Sequence, residues 1–286
     1  MCDRALWAQQ RLGQILLLER YREALATGRP LPSFADAGLS VCSQNDEDGI
    51  LLLIFAAVGF RTRLAIEVAA GDGIECNSAN LLLHHGFQGV LFEADPDRRE
   101  RGQAFYAGYP ATAYFPPRFV GDWVTAENID GLVTTHLFPG VIEAGGEIDL
   151  LSIDVDGNDY WILSALTCVR PRVIVVEFNA VWGAERSVTV PYDPLFRAEQ
   201  TGGLPYQGAS LPAFVRLLRG RGYRLVGIER LGFNAFFVRN DLATTALATV
   251  SPIDALRGPI VGICQSGLMA DPGLSAELRA RPWQEV

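Results

Sequence analysis

Residues 65–78 read AIEVAAGDGIECNS, and this stretch decides the predicted fold. A short apolar run reaches Glu67 and Val68, glycines follow at Gly71 and Gly73, and an apolar pattern at helical spacing comes next. Strand, tight turn and helix in this order bring backbone N–H groups close to a nucleotide-like ligand. An ordinary strand-to-helix turn gives the same pattern. We nevertheless expect this stretch to form one wall of a cofactor site, because polar residues follow downstream at suitable intervals.

The chain downstream alternates strand and helix patterns, as the βαβ units of a doubly wound sheet do. Strands are predicted at residues 64–68, 89–93, just before 121–122, 148–154, 172–177, 223–229 and 234–238. The last two strands are joined by residues 231–233 and form a late antiparallel pair. The predicted fold is therefore α/β: a Rossmann-like, doubly wound, mostly parallel sheet of seven strands.

Three segments are predicted from changes in pattern along the chain. Residues 1–42 form an N-terminal helical extension, because apolar positions recur at helical spacing over residues 4–26 and Gly28 then stops the helix. This extension is expected to pack on the main domain, residues 43–240, or on a second copy of the chain, which makes a homo-oligomer one predicted assembly. Residues 241–286 are richer in Ala, Pro and Gly and are expected to form a loosely attached C-terminal tail.

Composition argues against several classes of partner. The net charge of -9 disfavours nucleic acid and anionic membrane surfaces, since both attract basic proteins. The five cysteines are scattered without C-x-x-C spacing, which predicts reduced thiols, no zinc site and a cytoplasmic protein. The apolar run at residues 49–60 is too short to span a bilayer, and no signal peptide is recognised in the sequence.

Nearly every predicted parallel strand ends in an acidic residue. These residues are Glu67, Glu93, Asp122, Asp154 and Glu177. Ligands of doubly wound sheets bind beyond the carboxyl ends of the strands, so these side chains are expected to surround one site. Glu93 follows Gly71 by 22 residues, the interval at which an acid accepts hydrogen bonds from ribose hydroxyls. Asp122 is expected to lie beside the adenine.

The glycine turn departs from the dinucleotide pattern G-x-G-x-x-G. Cys76 stands where the third glycine belongs, and Glu75 would face a pyrophosphate with like charge. A cofactor that has no phosphate and carries a sulfonium cation suits this acid-rich rim better, and S-adenosylmethionine has both properties. The alternatives are an NAD-dependent oxidoreductase and a non-catalytic nucleotide-binding domain with the same Rossmann-like fold.

Several motifs resemble those of class I S-adenosylmethionine-dependent methyltransferases and, more narrowly, of the FkbM-like family. They are EVAAGDG at 67–73, Ser43-Gln44 with Glu47-Asp48, IDVDG at 153–157 and EFN at 177–179. The resemblance spans residues 43–240. It implies O-methylation of a hydroxyl on a small molecule, a sugar or a natural product, and hence a place in natural product biosynthesis.

The resemblance also implies a set of cofactor-binding residues. They are Glu67, Ala69, Gly71, Gly73, Glu93 and Asp122. The residues of the glycine turn would lie at the methionine part of S-adenosylmethionine, Glu93 at the ribose and Asp122 at the adenine. Ala69 stands where the commoner pattern has glycine, which crowds the methionine end slightly.

The densest polar cluster is DVDGNDYW at residues 154–161. In one interpretation it contributes to a Mg²⁺ site that would hold a substrate hydroxyl and lower its pKa. The ligands would be Asp154, Asp156, Glu177 and Asn179. In a second interpretation, Asp154 or Asp156 acts directly as a general base or orients substrate hydroxyls. In a third, the cluster is a hydrogen-bonded turn around Gly157 that only shapes the loop.

Three further segments carry expectations. Residues 182–210 form a long connection, and long ordered loops at this face of the sheet usually make lids or substrate walls. Residues 43–49, SQNDEDG, are expected to cap the helix that follows or to belong to the site. His84 and His85 close the helix after the glycine turn, where cations suit the helix dipole, and a structural role is expected for them.

Overall fold

The structure is a computed structural model that describes residues 4–201, 204–258, 276–278 and 280–286. Its helices are α1 (Arg4–Ala26), α2 (Phe34–Ala37), α3 (Glu47–Val58), α4 (Ala79–His84), α5 (Pro96–Gly108), α6 (Ile129–His136), α7 (Asp159–Ala165), α8 (Leu211–Gly220) and α9 (Pro252–Ala255). A 3₁₀ turn covers Ala180–Trp182. Its strands are β1 (Leu64–Val68), β2 (Gln88–Phe92), β3 (Arg118–Val120), β4 (Glu147–Ile153), β5 (Arg170–Glu177), β6 (Val188–Thr189), β7 (Glu199–Thr201), β8 (Leu204–Tyr206), β9 (Tyr223–Ile228), β10 (Asn234–Arg239) and β11 (Gln284–Glu285).

The main sheet has seven strands in the order β3-β2-β1-β4-β5-β10-β9. Strands β1 to β5 pair in parallel, and β10 is antiparallel to both β5 and β9. At the centre, Ile66 of β1 lies opposite Val90 of β2 and Leu151 of β4. The predicted fold class, with its late antiparallel pair, is confirmed.

Apolar side chains cover both faces of this sheet, as parallel strands require. Along β1, Ile66 faces a cluster that contains Phe214 of α8, and Ala65 faces a cluster that contains Phe55 of α3. Both phenylalanines are fully buried. Burial of such a side chain contributes roughly 1.5–3 kcal/mol, so the two helical layers hold the sheet from both sides.

Helix α1 packs on the second of these layers. The indole of Trp7 stacks on the ring of His84 with their centroids 6.1 Å apart, and the Gln14 side chain bonds to Asn80 and to His85. Burial, followed by the positive charge of Arg11, lowers the pKa of His84 to about 4, and burial lowers that of His85 to about 4. Both rings are therefore neutral at pH 7, and a dipole interaction of imidazolium ions does not account for their position.

The described end of the C-terminal tail is attached to the domain, which differs from the loose attachment expected from its composition. Strand β11 pairs with β6 of the long loop, and the Trp283 ring contacts the rings of Trp182 and Tyr206. Leu278 is fully buried in the same cluster. The contacts of a few apolar residues thus attach a segment whose composition is otherwise rich in Ala, Pro and Gly. Residues 259–275 and 279 of the predicted tail lie outside the described residues.

Two expectations drawn from composition can be compared with the structure only over the described residues. No helix in the described ranges is long and apolar enough to cross a membrane. Cys42, Cys76 and Cys168 carry free thiols, while Cys2 and Cys264 lie outside the described residues.

Candidate active site

A cavity of about 900 Å³ lies at the carboxyl ends of the parallel strands. One residue at or just past the end of each of the parallel strands lines it, together with the first residue of antiparallel β10. These residues are Ala69, Glu93, Asp122, Asp154, Glu177 and Asn234. The topology therefore brings residues from distant parts of the sequence to one rim, as predicted for a doubly wound sheet.

Two of the predicted cofactor-binding acids lie in this cavity. Glu93 is 8% exposed, and its Oε1 accepts a hydrogen bond of 2.8 Å from the backbone N–H of Asp95. Its other oxygen lies 4.0 Å from the guanidinium of Arg98. Asp122 is exposed and lines the cavity beside Trp123. Glu93 is thus held in place by the chain, whereas the Asp122 side chain faces open space.

Glu67 lies outside the residues that line the cavity, which differs from its expected place at the cofactor. Its carboxylate accepts hydrogen bonds from the backbone N–H groups of Asn77, at 2.9 Å, and Ser78, at 2.7 Å. Those N–H groups lie just ahead of α4, on the side of the helix N-terminus, where anions are bound. A carboxylate of the chain itself therefore occupies the position where a dinucleotide fold binds pyrophosphate.

The glycine turn owes its shape to a series of left-handed backbone conformations. Ala69 has φ of 62°, Gly71 has φ of 60° and Gly73 has φ of 69°. Ala69 lines the cavity, whereas the two glycines are not among the lining residues. A Cβ on Gly73 would lie 2.9 Å from Leu91 and 3.0 Å from Phe119, so this glycine allows close packing against β2 and β3.

A group of three carboxyl side chains lies where β4 and β5 end and α7 begins, and two of its members line the cavity. Asp154, Asp159 and Glu177 each offer an oxygen, and these oxygens all lie within 4.8 Å of one another. Burial, followed by the negative charges of neighbouring carboxylates, raises the pKa of Glu177 to about 10 and that of Asp154 to about 7. The carboxyl of Glu177 donates a hydrogen bond to Asp154, which stabilises the ionised form of Asp154.

The predicted Mg²⁺ ligand set differs from this group in two places. Asn179 has its Oδ1 bonded to the Val181 N–H and its Nδ2 bonded to the Gln207 carbonyl, so it holds the turn after β5. Asp156 is exposed, and its Oδ1 accepts a hydrogen bond of 3.1 Å from Gln207 Nε2. The fully buried Asp159 lies in the group instead, because its two oxygens accept the N–H groups of Val155 and Gly157 and fix the turn.

The segment SQNDEDG, residues 43–49, shapes the wall next to β10. Gln44 lines the cavity, and one oxygen of Asp48 accepts the backbone N–H groups of residues 41–43. Glu47 accepts a hydrogen bond of 2.9 Å from the Asn234 side chain, which itself lines the cavity. The side chain of Asp46 makes no capping hydrogen bond to α3. The segment is instead held by the hydrogen bonds of Asp48 and Glu47, and it forms part of the cavity wall.

The long loop, residues 182–210, closes the cavity on the side of β3 and β4, as expected of a lid or substrate wall; residues 202–203 lie outside the described part. Phe196 and Arg197 line the cavity, and the guanidinium of Arg197 lies 4.0 Å from the centre of the Trp123 ring. Trp123 Nε1 donates a hydrogen bond of 2.9 Å to the carbonyl of Pro194. Gly157 lies so close to Phe196 that a Cβ would approach its ring to 2.3 Å.

Several lining residues were not singled out from the sequence, among them Trp123, Phe196 and Phe233. Trp123 directly follows the predicted residue Asp122, and Phe233 lies in the predicted β9–β10 turn. Both lie next to a predicted strand end, and that position could have identified them as residues that line the cavity. Phe196 and Arg197 lie within a loop whose path no local pattern determines.

The comparisons with known proteins give one family and several distant structures. Residues 56–225, more than half of the chain, match the family described as "Methyltransferase FkbM domain". No curated protein matches the sequence.

Three solved structures illustrate the structural similarity. The magnesium protoporphyrin IX methyltransferase of Synechocystis PCC 6803 with bound SAM is 13% identical over 68% of this chain and 77% of its own, with a TM-score of 0.39. The N-terminal domain of EvdMO1 with SAH bound is 13% identical over 77% and 94%, with a TM-score of 0.43. The glycopeptide N-methyltransferase MtfA is 13% identical over 62% and 88%, with a TM-score of 0.37.

These structures are too distant to transfer any residue's role, and the family match carries the assignment. It covers the glycine turn, the five parallel strands and the carboxyl group at Asp154 and Glu177. The chain belongs to the FkbM family of S-adenosylmethionine-dependent methyltransferases.

Proposed function

We propose that this protein transfers the methyl group of S-adenosylmethionine to a hydroxyl group of a small molecule, a sugar or a natural product. The single observation that carries the choice of a hydroxyl acceptor is the half-buried, hydrogen-bonded pair of Asp154 and Glu177 at the cavity wall. A hydroxyl must lose its proton during methyl transfer, and this pair offers a place for that proton.

The residues around the cavity fit an adenosyl donor that carries no phosphate. Glu93, which is held by the Asp95 N–H, offers a carboxylate to the ribose hydroxyls, and Asp122 offers one to an exocyclic amine. Gln44, Asn234 and the backbone at Ala69 provide polar groups at the methionine end. S-adenosylmethionine, when bound, supplies an electrophilic methyl group on a sulfonium cation, which an acid-rich cavity favours electrostatically.

In the proposed reaction Asp154 accepts the proton of the acceptor hydroxyl. Its pKa of about 7 lies near the operating pH, which is the most effective value for a general base. Glu177 is protonated and donates a hydrogen bond to Asp154, so it orients the base. With S-adenosylmethionine bound, the acceptor oxygen would take the methyl group and sulfur would keep the electron pair of the C–S bond, while Asp154 takes the hydroxyl proton. The cavity aligns the two reactants and reduces their contact with water.

Glu67 argues against an NAD-dependent oxidoreductase. Its carboxylate accepts the backbone N–H groups just ahead of α4 and would repel a pyrophosphate at the place where dinucleotide folds bind it. A non-catalytic nucleotide-binding domain does not require a base at Asp154, and it predicts that Asp154→Asn leaves every activity unchanged.

Calorimetry with S-adenosylhomocysteine and NAD⁺ in parallel tests the donor. We expect S-adenosylhomocysteine to bind and NAD⁺ not to bind. Glu93→Gln should weaken S-adenosylhomocysteine binding at least about tenfold, because a hydrogen bond to a charged group is lost. Glu100→Gln, an exposed acid on α5 that does not line the cavity, is the matched control. Binding of NAD⁺ alone would overturn the proposal.

Acceptor chemistry is tested with donor labelled in the methyl group and pairs of acceptors that differ only in a hydroxyl or an amine, such as glucose and glucosamine. Labelled product that keeps its methyl on oxygen, identified by fragmentation, supports O-methylation. Label found only on nitrogen across the acceptor panel would contradict it while leaving the family assignment intact.

A Mg²⁺ ion at the same carboxyl group is the alternative to direct base catalysis. In its favour, Asp154, Asp159 and Glu177 supply the oxygen ligands that a hard divalent cation prefers. Against it, both oxygens of Asp159 already accept backbone N–H groups, and the amide of Gln207 donates to Glu177. We therefore favour the base, and we expect methyl transfer to persist in EDTA. Loss of activity in EDTA with recovery in Mg²⁺ would favour the metal.

A further inference from the structure

A second cavity, of about 320 Å³, lies at the opposite end of β1 from the active site. We call it the α1 groove. It is lined by α1 residues between Arg11 and Arg22, by Phe60 and Arg63 ahead of β1, and by residues 84–86 after α4. The groove therefore separates the N-terminal helix from the amino-terminal edge of the sheet.

The α1 groove is positively charged in a protein whose net charge is -9. Three arginines line it, Arg11, Arg22 and Arg63, against one acid, Glu19. Glu19 is paired with Arg22 at 2.8 Å. In the described part of the chain, neither Arg11 nor Arg63 forms an ion pair with a carboxylate. Two guanidinium groups therefore line this groove without an ion-pair partner among the described residues.

Aromatic rings hold those two guanidinium groups in place. Arg11 lies over the Trp7 ring, 5.3 Å from its centre, and Arg63 lies over the Phe60 ring at 5.6 Å. A guanidinium stacked on a ring keeps its N–H groups in the plane, where they bind the oxygens of phosphate or carboxylate.

The three arginines act on a common point. After burial and the neighbouring His84, the positive charges of Arg11, Arg63 and Arg22 all contribute to the lowered pKa of His85. His84 also lines the α1 groove, is 3% exposed, and its Nδ1 has no hydrogen-bond partner among the described residues. An unpartnered buried nitrogen thus accompanies a convergence of cationic side chains.

We propose that the α1 groove binds a small multiply charged anion, a phosphate ester or a di- or tricarboxylate, between Arg11 and Arg22 of α1 and Arg63 of the main domain. The anion joins the helical extension to the domain by neutralising charges on both. Arg11 and Arg22 lie outside the residues that match the FkbM family, so the site belongs to this chain's extension. It is separate from the cavity that contains Asp154.

Titration of the protein with pyrophosphate, and separately with citrate, at constant ionic strength tests the proposal. The chain has three histidines, and their ring signals are followed by nuclear magnetic resonance. We expect the signals of His84 and His85 to shift with saturation, while His136, on α6, serves as the internal control and stays unchanged. The stronger of the two probes distinguishes a phosphate ligand from a polycarboxylate. Unchanged His84 and His85 signals with both probes would overturn the proposal.

Variants separate this site from general charge attraction. Arg11→Gln with Arg63→Gln should weaken binding of the preferred probe at least about tenfold, because charge-assisted hydrogen bonds are lost. Arg20→Gln, on the same helix but outside the groove, should change binding less than about twofold on the same grounds. An equal loss in this control would contradict the proposal.

A variant expected to bind more tightly is a useful test, because misfolding can weaken binding but cannot strengthen it. Glu19→Gln removes the one acid among the described residues that line the α1 groove and frees Arg22, so it should tighten binding several-fold. Weaker binding in Glu19→Gln would count against the site. Calorimetry with S-adenosylhomocysteine should give the same affinity in all of these variants, which checks that the main domain is intact.

Discussion

Ala69 is the residue at which the backbone leaves β1 and turns along the cavity, with φ of 62°. An L-residue in this conformation carries a strain of roughly 1–2 kcal/mol that glycine avoids. This explains in physical terms why glycine is the commoner residue at this position of the family pattern. Ala69 therefore places a methyl group at the cavity wall, and its backbone strain lowers the stability of the protein.

Ala69→Gly should raise the free energy of unfolding by up to about 1 kcal/mol, since relief of strain exceeds the entropy that glycine adds to the unfolded chain. Gly71→Ala makes the opposite change at φ of 60°, with nothing within 4 Å of the new Cβ, and should lower it by roughly 1–2 kcal/mol. Urea unfolding of both variants measures the two values. Destabilisation by Ala69→Gly would contradict the strain argument.

Asp154→Asn should reduce methyl transfer by roughly 10²–10⁴-fold, because the proton acceptor is removed. The affinity for S-adenosylhomocysteine should change less than about threefold, as expected for a group that acts on the acceptor rather than the donor. Asp156→Asn, an exposed neighbour, should lose less than about tenfold. A larger loss in Asp156→Asn would transfer the role of base to that residue.

The pH profile gives a second measurement on the same residue. A base acts only when ionised, so kcat/KM of the wild type should rise as the pH increases through about 7, the pKa of Asp154, and level off above it. A profile that is flat between pH 6 and 8 would contradict the proposed base.

At the scale of elements, the sequence predicted those helices and strands whose own residues form a recognisable hydrophobic pattern. The bounds of β1 agree with the structure, because an apolar run buried on both faces is visible in the sequence. Helix α1 was likewise visible from its periodicity. Strand β11 was not, because two residues carry no periodicity and their pairing depends on a partner a hundred residues away.

The lining of the cavity was predictable to the same extent. Glu93, Asp122, Asp154 and Glu177 line it as expected, because the end of a strand fixes where such a side chain lies. Asn179 was misplaced by contrast, and Asp159 was missed, because hydrogen bonds within two turns decide which side chain faces the carboxyl group. Those bonds form only when β4 and β5 lie side by side.

The packing of α1 on α4 should make stability depend on pH. The pKa values of His84 and His85 are lowered to about 4 in the folded protein, from about 6.5 in an unfolded chain. Both groups therefore contribute stability that is fully present above pH 6.5 and is lost as the pH falls toward 4.

We expect the free energy of unfolding to fall between pH 7 and 4.5 by roughly 1–3 kcal/mol more in the wild type than in His84→Phe. Phenylalanine keeps the stacking on Trp7 but does not titrate. Denaturant unfolding at a series of pH values measures the difference. Parallel curves for the two proteins would show that these histidines are not responsible.

At the scale of the whole molecule, the two ends of the described chain both support the methyltransferase domain, but at different places. Helix α1 covers the amino-terminal edge, and β11 binds the long loop beside the cavity. The Trp283 ring packs on Trp182 and Tyr206 and adds apolar contact to the two-residue strand pair.

A chain that ends at Arg281 lacks β11 and Trp283, and amide exchange at Thr189 should become at least about tenfold faster, because Thr189 loses its strand partner Gln284. Residues 64–68, at the centre of the sheet, serve as the internal reference. Glu285→Gln removes only the exposed ion pair with Arg186 and should leave exchange unchanged. Protection that survives truncation would contradict the proposed support.

The strand order also governs how the chain folds during synthesis. Strand β10 lies between β5 and β9, although β9 is made first. A nascent chain that has emerged as far as β9 therefore leaves β5, an apolar strand, with one side of its backbone unpaired. Such an edge recruits strands from other chains and invites aggregation. When β10 emerges, it pairs with that edge of β5 and with β9. Synthesis of this one short strand therefore ends the period in which the nascent chain is prone to aggregate.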